Sequence, residues 1–209
     1  MKKHSRSAGF TLVEIAIVLV IIGLLLGGIM KGQSMIKSAK IKSVKATFTN
    51  TATAVYAYQD LTKYLPGDDP NALENISSVA ESVGNGEIDN GDQWASQTEA
   101  TETESPNVWG QLASQDLVNR AQRTQNIFKS GTVVGIGTGI LDMDAEVVCL
   151  DKIPNDVARL IDLTLDNGNA TSGDLRGMAS AALAVPTDDY IADPAAEGFT
   201  SDIDLCNKI

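Results

Sequence analysis

Glu14 is the residue whose position in this 209-residue chain most demands a chemical explanation. It stands in AGFTLVEI, residues 8–15, after a short leader carrying Lys2, Lys3 and Arg6 and directly before an unbroken apolar run from Ile15 to Met30. A carboxylate at the centre of a membrane helix costs about 2.5–3.5 kcal/mol, and less near the end, so an acid placed here is a functional candidate that requires a cation.

Other residues offer weaker chemistry. In GNGEIDNGD, residues 84–92, the oxygens of Asn85, Glu87, Asp89 and Asp92 are close enough in sequence to cradle calcium. Relative to an EF-hand loop, however, the turn glycine comes one residue late and Ser96 occupies the place of the bidentate glutamate, so a solvated acidic turn is favoured and no metal is expected. The only histidine is His4, in the leader, which leaves a serine or cysteine nucleophile without a histidine base. Acid pairs such as Asp68 with Asp69 or Asp188 with Asp189 are expected by chance in so acidic a chain. GIGTG, residues 135–139, lacks the third glycine of a dinucleotide fingerprint and no long helix follows, so it reads as a glycine-rich strand or hairpin. Neither an enzyme nor a cofactor is expected.

The constellation of basic leader, Gly9, Phe10, Glu14 and apolar run resembles the processing site of type IV prepilins and type II secretion pseudopilins. The resemblance implies a membrane peptidase that cuts between Gly9 and Phe10 and methylates the amine of Phe10. It also implies a cation for Glu14, because cleavage creates that amine and methylation preserves its charge. Four residues span about 6 Å of helix, so a neighbouring subunit shifted by about one turn could place its amine beside Glu14. At about 4 Å and an effective dielectric of 20 such a pair is worth at most about 4 kcal/mol before desolvation. The implied partners are other pilin-like subunits, the peptidase, the inner-membrane assembly machinery and, before assembly, the membrane itself. The implied location is the inner membrane with a periplasmic head, then a pilus or pseudopilus filament at the cell surface or beyond. An uncleaved single-pass membrane protein with a ligand- or partner-binding head is the alternative.

Cys149 and Cys206 are the only cysteines. An exported protein with an even pair suggests a disulfide, and pilins similar to this chain often close their C-terminal region that way. Two buried free thiols are the alternative, favoured if the head were cytoplasmic.

Charge is distributed unevenly. Removal of residues 1–9 would leave 13 basic against 27 acidic residues, and residues 60–209 hold eight basic and 26 acidic ones. Such a head repels nucleic acid phosphates. Lys31, Lys37, Lys40, Lys42 and Lys45 follow the apolar run. Five cations after the run against three before it would place the head in the cytoplasm by the positive-inside tendency. The prepilin-like site and the cysteine pair argue for export instead.

The elements that must position these residues begin with one helix over about 10–64. Residues 10–30 are apolar all round and, at about 31 Å, just span a bilayer. Residues 31–64 are amphipathic, with Ile41, Val44, Phe48, Ala52, Val55 and Tyr58 forming a stripe at three- or four-residue steps. There is no proline before Pro66, so Gly23, Gly27, Gly28 and Gly32 are the weak points of the helix. Residues 65–209 form the head. Its stretch 66–107 is rich in Gly, Asp, Asn, Ser and Thr, expected to loop and bury little. A short helix is predicted over 108–119 with Trp109, Leu112 and Leu117 inward, then two antiparallel strands in GTVVGIGTGILDM and EVVCL. Pro154 opens a helix ending at Gly168, with Val157, Leu160, Ile161 and Leu165 on one face. Short strands are predicted at 175–179, 190–192 and 203–206. The order implies an α+β fold, a long N-terminal helix packed on an antiparallel sheet, as in pilins.

Overall fold

The structure, a computed structural model, describes residues 11–72, 84–89, 94–95, 104–128, 131–179 and 202–209. It contains two compact units, Met1–Ala39 and Lys40–Ile209. Helix α1, Leu12–Thr62, supplies the described part of the first unit and the opening helical turns of the second. It continues unbroken through all four glycines, consistent with the absence of proline.

Within the second unit, the amphipathic half of α1 buries Val44, Thr47, Phe48, Thr51, Ala54, Val55 and Tyr58. The predicted stripe is therefore present but wider, while Ala52 is only half-buried. Five antiparallel strands follow the order β1-β2-β3-β5-β4, with β1 Thr124–Gln125, β2 Thr132–Thr138, β3 Glu146–Pro154, β4 Leu175–Ala179 and β5 Asp202–Lys208. Side chains alternate across a strand. Val134, Ile136, Val148, Leu150, Leu175 and Leu205 accordingly join the core that contains α1, whereas Val147, Cys149, Met178 and Cys206 join a second cluster with Trp94, Ile140, Leu141 and Met143. Both sheet faces are covered, which is why EVVCL is apolar at every position after its glutamate.

Helix α2, Glu104–Ser114, begins four residues earlier and ends five earlier than predicted. Its first turn is tied down: the Glu104 carboxylate accepts the Asp89 N–H at 2.8 Å, and the Ser105 hydroxyl donates to the Ile136 carbonyl of β2. Trp109 and Leu112 are buried as predicted, and Leu117, beyond the helix, is half-buried. The expectation that 66–107 buries little is corrected: Ala72, Ile88 and Trp94 are core residues, and Asp68 and Asp69 are buried beside them. The segment ILDM is not strand. Ile140–Asp142 form a 3-10 turn, with Leu141 and Asp142 at φ of 56° and 54°.

Helix α3, Asn155–Leu165, starts after Pro154 and ends before Gly168, which adopts φ 81°. Val157 and Ile161 are buried, but Leu160 is 39% exposed and Asp162 is buried instead. The apolar face is thus rotated from the predicted one, because Asp162 turns inward to accept the Gly168 N–H at 2.8 Å and close the helix end. Strands 175–179 and 203–206 lie where predicted, and 190–192 fall outside the described residues. The two-residue β1 has no sequence signal of its own.

Candidate functional site

The first unit presents an unusual surface. None of its described residues is buried, and Leu12, Leu19, Leu24 and Met30 are 89, 63, 73 and 72% exposed. A helix apolar on every side demands lipid or other helices as its solvent. α1 is long and apolar enough to cross a membrane. Gly23 and Gly27, then Gly28 and Gly32, recur at four-residue spacing, and nothing lies within 4 Å of the place a Cβ would occupy at any of them. Each costs about 0.5–1 kcal/mol of helix stability relative to alanine. No packing among the described residues explains that cost.

Thr11 and Glu14 shape the start of α1. The Thr11 N–H and hydroxyl both donate to Glu14 Oε2 at 2.8 Å, and the Glu14 N–H donates to Thr11 Oγ1 at 3.3 Å. This reciprocal pairing is a capping box, and its T-x-x-E signature was present in the sequence. The amide that donates to Glu14 belongs to Thr11, the residue that follows Phe10 in sequence. Among the described residues Oε1 accepts no hydrogen bond. Gly9 and Phe10 themselves lie outside the described residues.

In the head, Cys149 and Cys206 face each other across β3 and β5 and are joined by a disulfide, with Cα atoms 4.0 Å apart. The glycine-rich strand has its own explanation. A Cβ on Gly135 would come 2.4 Å from the carbonyl oxygen of Trp94, so the glycine admits the loop that lays Trp94 on the sheet.

The acidic loop is held from within. Asp68 accepts the N–H groups of Asn85 at 3.0 Å and Gly86 at 2.7 Å; Asn85 Oδ1 accepts the Glu87 N–H and Asn85 Nδ2 donates to Asp89. The Asn85 oxygen, one of those weighed as calcium ligands, therefore closes a turn, and Asp92 lies outside the described residues. No group of three or more His, Cys, Asp or Glu side chains converges among the described residues. Sequence reasoning missed the neighbour of this loop, Asp69, buried and accepting both the Tyr58 hydroxyl at 2.8 Å and the Asn71 N–H at 2.8 Å. Burial, then the bond to Asp69 and its charge, hold the Tyr58 hydroxyl well above the usual tyrosine range.

Residues 4–30 match the family described as the prokaryotic N-terminal methylation motif. Neither a curated protein nor a solved structure matches the chain. The match covers Gly9, Phe10, Glu14 and the whole apolar run, and with it the N-terminal segment is a leader of the type IV pilin and pseudopilin kind, heading a long helix whose second half belongs to an α+β head.

Proposed function

We propose that the chain is the precursor of a structural subunit, cut between Gly9 and Phe10, methylated at Phe10 and assembled into a helical filament, either a type IV pilus or a type II secretion pseudopilus. The observation that carries this reading is the methylation motif at residues 4–30, set on a helix segment with no buried residue. Before assembly the apolar segment anchors the precursor in the inner membrane with its head in the periplasm. In the filament the same segments pack on one another, and the four open glycines let neighbouring backbones approach closely. Glu14 receives the Phe10 amine of an adjacent subunit at its unused Oε1. The acidic heads form the outer surface, and the lysines between 31 and 45 meet acidic surfaces of neighbours. The role is structural, without catalysis.

Substitution Gly9→Val tests processing, because a branched side chain beside the scissile bond should block the peptidase and leave the leader attached. Intact mass of membrane-extracted protein should show all 209 residues in the variant and residues 10–209 plus one methyl group in the wild type. Removal of nine residues from the variant would refute the assignment of the site.

A further inference from the structure

Glycine follows asparagine at three steps of the chain, Asn85–Gly86, Asn90–Gly91 and Asn167–Gly168, of which the second lies outside the described residues. The two described steps are built alike. Asn85 Oδ1 accepts the Glu87 N–H at 2.9 Å and Asn167 Oδ1 accepts the Asn169 N–H at 2.8 Å, so each asparagine closes a turn with its own side chain. Gly86 and Gly168 adopt φ of 89° and 81°, a conformation that favours glycine.

That backbone requirement brings a chemical liability. Asparagine is a thermolabile residue, because the backbone nitrogen of the next residue can attack its side-chain carbonyl carbon, and a glycine there has no Cβ to obstruct the attack. The new C–N bond closes a succinimide, the N–H proton passes to solvent base, and the side-chain nitrogen leaves as ammonia. Water then opens the ring at either carbonyl, leaving aspartate or isoaspartate. Both asparagines are exposed to that water.

In each turn both reacting nitrogens are tied. The Gly86 N–H donates to Asp68 Oδ2 at 2.7 Å, and the Gly168 N–H donates to Asp162 Oδ1 at 2.8 Å. These aspartates are 1% and 0% exposed, whereas the asparagines they restrain lie at the surface. The leaving nitrogens are held as well, Asn85 Nδ2 by Asp89 at 3.1 Å and Asn167 Nδ2 by the Ser172 hydroxyl at 3.2 Å. A carboxylate is too weak a base to take an amide proton, so it holds the N–H instead of activating it. The bond it makes is charge-assisted, and the nitrogen must leave it before attacking.

We infer that Asn85 and Asn167 are latent deamidation sites, and that Asp68 and Asp162 are positioning residues that keep them closed by occupying the attacking N–H. A released site adds a carboxylate to a chain already at a net charge of -11. Isoaspartate at 85 would also insert an extra backbone carbon just before Ile88 and Asp89, whose N–H groups are bonded to Thr138 and Glu104. The inference does not rest on filament assembly.

The test follows full-length protein in detergent micelles at mildly alkaline pH, with aspartate and isoaspartate at each site read by peptide mapping. Capped peptides spanning 82–89 and 164–172 set the unrestrained rates. The folded protein should convert at both sites more slowly by about tenfold or more, the factor expected when a hydrogen bond to a charged group must first open. Asp68→Asn should speed conversion at Asn85 and leave Asn167 at its wild-type rate. Asp162→Asn should do the reverse, so the second site in each variant reports that the rest of the head is folded. In wild type at sub-denaturing urea, a comparison that needs no variant to fold, conversion at each asparagine should rise in step with amide exchange of its own glycine. Folded-protein rates equal to those of the peptides would overturn the inference. So would a folded variant that leaves its own site unchanged, slows it as the loss of a catalytic base would, or speeds both sites alike, and so would conversion that does not track glycine exchange.

Discussion

Single residues carry the sharpest consequences. Glu14→Gln removes a charge from the apolar segment and leaves the Gly9 to Phe10 bond unchanged, so insertion and cleavage should persist. Incorporation into filaments should fall, scored as the amount of processed variant in sheared filaments when it is the sole copy. Wild-type incorporation would remove the pairing role. Tyr58 makes a different prediction. Because its proton is held more tightly in the folded state than in the unfolded one, its contribution is complete below about pH 10 and is lost as pH rises above that value. Tyr58→Phe leaves the buried Asp69 with one bond fewer, at a cost of about 1–3 kcal/mol near pH 8. Urea unfolding should show the gap between wild type and variant narrowing toward about pH 11. A gap that widens with pH would contradict the buried hydroxyl–carboxylate pair.

At the scale of elements, the sheet depends on two close contacts that cross it. Gly135→Ala would drive a methyl group into Trp94, and since a backbone carbonyl cannot swing aside like a side-chain tip, the cost should be about 1–3 kcal/mol or more. The disulfide closes a separation of 57 residues between β3 and β5, worth about 4 kcal/mol by chain entropy. Replacing Cys149 and Cys206 together with serine should lower head stability by that order in chemical denaturation. Full alkylation of both thiols in native, unreduced protein would instead place the head in a reducing compartment.

Much of this level was legible beforehand. The α1 stripe, β3, β4, β5 and the α3 start followed from periodicity and from Pro154, because these elements bury side chains at regular steps. The misread parts share one physical cause. Asp68, Asp69 and Glu104 fall in a stretch expected to bury little, and Asp162 lies off the predicted apolar face of its helix, but each turns inward to satisfy backbone or hydroxyl donors, and a sequence pattern does not record which polar side chain will find a buried partner. β1 was invisible for the same reason: two neutral residues, Thr124 and Gln125, gain their meaning only from the sheet edge they occupy.

The whole molecule divides labour between an apolar helical segment in which no described residue is buried and a head with its own core. Two faces of one prediction follow. Gly27→Leu together with Gly28→Leu should leave head stability within about 0.5 kcal/mol, since nothing among the described residues lies within 4 Å of a Cβ added at either position. Filament yield should nevertheless drop, because bulky side chains hold neighbouring helices apart. Unchanged yield in sheared fractions would deny those glycines a role between subunits. The central claim, that this precursor becomes a processed filament subunit, is tested most directly by N-terminal sequencing and intact mass of the protein recovered from sheared surface or periplasmic filaments. The expected protein begins at a methylated Phe10. Protein recovered only from membranes, still beginning at Met1, would contradict the claim.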